Sequence, residues 1–142
     1  MNSNTTPIKD RAAEELFSTN QLNFTVNFNG STVEPSATAI TVDENCNVLI
    51  FTLSSTAPGT ASFHNPPIQA IVGGAAQATV PDFVSFALID DTQFVLCDLD
   101  NVMEGDANVT FEFRIGVDYN DGTNPTTTIW SPDPTIVNTP IT

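Results

Sequence analysis

Positive charge is nearly missing from this sequence. Three Lys and Arg stand against seventeen Asp and Glu, for a net charge of −14. Lys9 and Arg11 both fall within the first eleven residues. That leaves Arg114 as the only base across residues 12–142, against sixteen acids. Phosphate recognition needs clustered Lys and Arg, so nucleic acid is excluded as the expected partner. Anionic membrane surfaces are excluded for the same reason. No apolar run approaches the ~18 residues of a membrane helix. The N-terminal Met-Asn-Ser-Asn-Thr-Thr-Pro has neither a basic nor an apolar leader segment,. The expectation is a cytoplasmic protein, with a mature secreted chain restarted at Met as the alternative.

Other shortages narrow the chemistry. His64 is the only histidine, which excludes a histidine-rich metal site,. Cys46 and Cys97 are the only cysteines, and with His64 they lack the close spacing of a zinc site,. A sandwich with a bridge between its sheets would use two cysteines about this far apart. Cys46 sits in a turn-like Glu-Asn-Cys-Asn, however, whereas Cys97 falls mid-strand, and two free thiols are expected,. Trp130 and Tyr119 are single, too few to argue for a sugar platform, and both are expected to be buried,. Gly73-Gly74 is followed by no Lys and opens no helix, so no phosphate cradle is indicated,.

What is present is alternation. Val109, Phe111, Phe113, Ile115, Val117 and Tyr119 alternate with Thr110, Glu112, Arg114, Gly116 and Asp118. A period of two over this length predicts a central strand with one face in a core and one in water. It ends in Asn120-Asp121-Gly122, a strong turn signal. Leu22–Phe28 alternates likewise and runs into Asn29-Gly30, a hairpin turn,. Pro35 suits a strand edge. Short strands are expected at 39–42, 68–72, 77–80 and 126–130, with a hairpin of 83–89 and 93–99 about Asp90-Asp91-Thr92. Val48-Leu49-Ile50-Phe51 reads as a strand covered on both faces,.

About eight short strands with polar turns predict an all-β fold, a single antiparallel β-sandwich of immunoglobulin-like or jelly-roll type. Residues 21–142 form this domain. Residues 1–20 are a polar arm, in which Ile8, Ala12 and Leu16 at four-residue spacing suggest a short helix,. The least regular stretch, 57–81, is where loop function is expected.

The acids offer several candidate sites. Asp118-Tyr119-Asn120-Asp121-Gly122 resembles the start of a calcium loop, but its spacing is one residue short and no closing acid follows,. A looser site could draw on the acidic loops, with Asp100, Asp106, Asp118 and Asp121 as candidates and Asp90, Asp91, Asp98 and Glu104 as further oxygens. Asp98 and Asp100 share a strand parity, as do Glu112 and Asp118, and paired carboxylates are the tools of glycoside hydrolysis. A Ser–His–Asp triad would have to pass through His64. A solvated acidic coat is the plainer account of these residues.

Two dipeptides belong together, Glu34-Pro35 and Asp133-Pro134. The tail Ser131-Pro-Asp-Pro-Thr-Ile-Val-Asn138 resembles the closing segment of the DP-EP family of small bacterial sandwich proteins. More loosely it is similar to the AidA/PixA inclusion-body proteins, with their Asp-Pro-x-Ile-x-Asn ending. The resemblance implies a fold and brings no catalytic residues. Within the tail, Asp133 before Pro134 favours an extended or turn backbone. Its carboxylate and the Asn138 amide are expected to accept backbone N–H bonds, with Ile136 starting the final strand.

The expected function is a non-enzymatic binding or self-associating module without cofactor, acting on a protein partner or a second copy. A calcium- or carbohydrate-binding adhesion module is the alternative, with a divalent cation not favoured. A hydrolase ranks third.

Overall fold

A computed structural model describes residues 21–43 and 47–141. The expected arm at 1–20 and Cys46 lie outside the described residues. Eleven strands run in chain order: β1 (Gln21–Phe28), β2 (Val33–Pro35), β3 (Ala39–Val42), β4 (Asn47–Ser55), β5 (Thr60–Val72), β6 (Ala75–Ala76), β7 (Val84–Asp90), β8 (Gln93–Asp98), β9 (Val109–Asn120), β10 (Thr127–Trp130) and β11 (Thr135–Asn138). One sheet has the order β2-β1-β4-β8-β7, the other β3-β11-β9-β5-β6, with β10 also paired to β9. The fold is all-β, a two-sheet sandwich. Among the described residues there is no helix, and so none long and apolar enough to cross a membrane.

The expected alternation in β9 is realised. Phe111, Phe113, Ile115 and Val117 are buried, Val109 is exposed at one end, and Tyr119 is half-buried against the core at the other. The core is joined across the sheets by aromatic contacts. Phe51 of β4 stacks on Phe94 of β8 at 4.7 Å between ring centroids and meets Phe113 of β9 edge-on at 6.3 Å. Phe63 of β5 meets Phe94 edge-on at 4.8 Å. Edge-to-face pairs of this kind add to the apolar burial that holds the two layers together.

Three differences from the sequence reading have physical causes. The sheets are mixed, not purely antiparallel: β1 runs parallel to β4 and β11 parallel to β3. Those pairings join distant segments, and no local turn announces them. The stretch expected to be least regular is mostly one long strand, β5, which pairs with β9 on both sides of a register shift between Phe63 and Ile68. His64-Asn65-Pro66-Pro67 forms that irregularity. Two prolines in a row read as a break, yet they need only give up N–H donors to remain extended. No strand forms at the expected 77–80; the two-residue β6 at Ala75–Ala76 precedes it, after a hairpin turn at Gly73-Gly74 with both φ angles positive,.

β10 and β11 lie end to end along one side of β9. Trp130 stands opposite Gly116 and Thr135 opposite Glu112, so one extra residue separates the two strands. Ser131-Pro132-Asp133-Pro134 is that bulge. Its prolines have no N–H to give, and other groups complete the ladder. Ser131 N–H donates to the Ile115 carbonyl at 2.8 Å, its Oγ accepts from Ile115 N–H at 2.9 Å, and Phe113 N–H donates to the Pro134 carbonyl at 3.0 Å.

Candidate functional site

The outward positions of β9 carry Arg114, Gly116 and Asp118, flanked by β5 on one side and β10 on the other. The register places Thr128 beside Asp118 and Trp130 beside Gly116. His64, on the bulge of β5, donates from Nδ1 to Asp118 Oδ1 at 2.8 Å. Thr128 Oγ1 donates to the same oxygen at 2.7 Å. The Trp130 ring meets His64 edge-on at 5.5 Å, and the Arg114 guanidinium lies 4.3 Å from the indole centroid. Arg114 is fixed from the other side by Gln69, whose Oε1 accepts from Nε at 2.9 Å and from one terminal nitrogen at 2.6 Å. The chain's only histidine, its only tryptophan and its only base beyond position 11 therefore meet on one face.

Gly116 makes the arrangement feasible. A Cβ there would come within 2.7 Å of the Trp130 ring. Glycine lets the indole lie down across β9 toward His64 instead of standing away from the sheet. Trp130 and Tyr119 are half-buried, not buried as expected. Tyr119 packs edge-on against Phe28 and donates its hydroxyl to the Pro58 carbonyl at 2.5 Å. Trp130, on the opposite parity to the core residue Ile136, covers the outer face of the sheet. The sequence signal for this site was the outward parity of Arg114, Gly116 and Asp118. What was missing was which strands flank them.

A second polar cluster lies inside the sandwich, at the end where β8 and β11 stop. Asp98 and Asn47 are cross-strand partners facing inward from one sheet, and Asn138 faces inward from the other. Asp98 is fully buried, and Asp100 and Asn138 are each 2% exposed. Burial pushes the Asp98 carboxyl up to about 6. The Asn138 amide, near but outside hydrogen-bonding geometry, partly offsets this, and the Asp100 charge adds to it. Asp100 Oδ1 accepts from Val102 N–H at 3.1 Å.

The four acids considered from sequence are not brought together. Asp100 and Asp106 belong to the loop before β9, and Asp118 and Asp121 to its far end. The nine steps from Val109 to Asp118 span about 30 Å. Asp121 is taken up by its own turn: N–H groups of Asn124 and Thr123 hold its carboxyl below the usual carboxylate range. Asp106 is exposed. Among the described residues, no three His, Cys, Asp or Glu side chains are grouped as metal ligands. Asp133 is exposed between its prolines, and Ser131 makes the tie expected of it. Asn138 is buried with its amide atoms unbonded, where a bond to backbone was expected. Glu34 is exposed, and Pro35 ends the edge strand β2 as expected.

No curated protein matches the sequence. A model of the DP-EP family matches residues 8–140. That match takes in both dipeptides, the bulge that contains Asp133-Pro134 and all eleven strands of the described sandwich, and the chain belongs to the DP-EP family.

Proposed function

We propose that this protein is a non-catalytic binding module that presents the outer face of β5, β9 and β10 to a neutral carbohydrate. The observation that carries the reading is the convergence of Trp130, Arg114, His64 and Asp118 on that face. Sugars are recognised by an aromatic face against their apolar C–H side and by charged or amide groups at their hydroxyls. Here an indole carries a guanidinium over its ring, held by the Gln69 amide, with an imidazole at its edge and a carboxylate behind that imidazole. With a net charge of −14 the protein repels anionic ligands, which favours a neutral one,.

The His64–Asp118 pair also favours a second reading, a hydrolase. Three features weigh against it. A triad needs the carboxylate on one ring nitrogen and the nucleophile on the other. Thr128 instead donates to the same carboxylate oxygen as His64 and lies 3.5 Å from the same ring nitrogen. Glu112 and Asp118, six steps apart on one strand, are separated by about 20 Å, well beyond the spacing of a glycosidase pair. Asp98 and Asp100 are closed off inside the sandwich.

Because Trp130 is the only tryptophan, its fluorescence reports the site directly. Titration with soluble neutral polysaccharides of β-glucan, xylan and mannan type is expected to give a saturable change in emission for at least one of them. Retardation in gels containing that polysaccharide should be lost in Trp130→Ala and reduced in Arg114→Ala. Failure of every polysaccharide to shift either signal sinks the carbohydrate reading. Hydrolysis of p-nitrophenyl esters that His64→Ala abolishes would promote the enzyme.

A further inference from the structure

The inner end of the sandwich is built with more acceptors than donors. Both oxygens of Asp98, Oδ2 of Asp100 and both amide atoms of Asn138 are buried without a hydrogen-bond partner. Buried polar side chains almost always find partners, so five such atoms in one place call for an explanation. They come from separate parts of the fold: the last residue of β8, the loop behind it and the last residue of β11. The closure above them is well made. Thr139 N–H donates to the Val42 carbonyl, Ile141 N–H to the Val102 carbonyl, and Val102 is buried. Loose packing therefore does not account for the unpaired atoms.

A shared proton between the two carboxyls would supply one donor, and the Asn138 amide nitrogen, the one donor atom among the five, is itself unpaired,. A cation serves several oxygens at once. We propose that Asp98, Asp100 and Asn138 form a buried binding site for one calcium ion that ties the end of β8 to the end of β11. The ligand atoms offered are hard oxygens, with two carboxylates to balance a divalent charge. Calcium accepts carboxylate, amide and backbone carbonyl oxygens in a flexible shell of roughly six to eight. Magnesium holds its water more tightly and suits a solvent-poor site less well. The Val102 N–H bond to Asp100 Oδ1 leaves the second oxygen of that carboxylate free for the metal. The site is independent of the outer face of the sheet and runs counter to the sequence-based expectation that a divalent cation is not favoured.

The test is calorimetric titration of metal-stripped full-length protein with calcium chloride, alongside melting curves. The expected result is one saturable site per chain. The melting temperature should rise beyond that in magnesium chloride or sodium chloride of matched ionic strength, and chelator should reverse the rise. Asp98→Asn and Asp100→Asn are each expected to weaken calcium binding on the order of 100-fold. Asp106→Asn, an exposed acid of the same loop, should bind as the parent does. The proposal is overturned if calcium acts only as a salt on the parent, or if Asp98→Asn and Asp100→Asn keep the saturable site. Should either variant fail to fold, metal analysis of the parent dialysed against calcium decides. About one calcium per chain sustains the proposal, and a value near zero rejects it.

Discussion

Asp98 shows how one buried carboxyl sets a local pH dependence. Its folded pKa of about 6 stands above the ordinary 3.8. Between those values the folded chain keeps a proton that the unfolded chain releases. The stabilisation from this group is thus complete below about pH 4 and lost as pH rises through 6. The shift corresponds to about 3 kcal/mol at most. Denaturant melts of calcium-free protein should show stability rising on acidification from pH 7 to pH 5. Asp98→Asn should flatten that part of the curve, and an unchanged slope in the variant would place its origin elsewhere. Calcium bound as proposed would reverse the sign: it would hold Asp98 charged, so the calcium-loaded protein should lose stability on acidification through the same window.

At the level of elements, the join between β10 and β11 separates what the sequence reveals from what it hides. Ser131→Ala removes the acceptor of the Ile115 N–H in the middle of the central strand. A buried donor left unmatched costs about 1–3 kcal/mol, and a urea melt should register a loss of that size. Asp133→Ala, at an exposed position, should change stability by less than about 0.5 kcal/mol,. The reverse order of effects would mean that the aspartate ties the loop after all. From sequence, Asp-Pro looked like the structural tie because aspartate is a known acceptor in turns. Serine takes that part: its Oγ accepts the Ile115 N–H, while the Asp133 side chain is exposed. The strands β1 and β9 were legible from their alternation and the hairpin β7–β8 from its turn, since both signals are local. The parallel pairs and the route of β5 through two prolines were not, because they depend on partners far away in the chain. The candidate sites follow the same rule. Asp98 and Asp100 were recognisable as a pair of common parity, but their burial with Asn138 depends on how the two sheets close. Trp130 gave no sign from neighbouring residues that it would lie outward over Gly116.

At the scale of the whole molecule, sixteen acids and one base beyond residue 11 repel one another in the compact state,. Salt at physiological strength shortens the reach of that repulsion to about 8 Å. Sodium chloride should therefore raise the melting temperature smoothly, without saturation at low millimolar concentration. A melting temperature that falls with added salt would show that ion pairs outweigh the repulsion. The double proline in β5 has a further consequence, for how copies of this protein meet. β6 covers only Ile71 and Val72 of that strand, and the order of the sheet leaves the stretch before them at its border. A bare border of that kind invites a neighbour to continue the sheet. Pro66 and Pro67 have no N–H with which to receive one. Gln77 N–H already takes the Ala70 carbonyl, and Phe63 N–H is spent on the Asp91 carbonyl. The residues that set His64 in position thus also leave few N–H donors along that border for a second copy to pair with,.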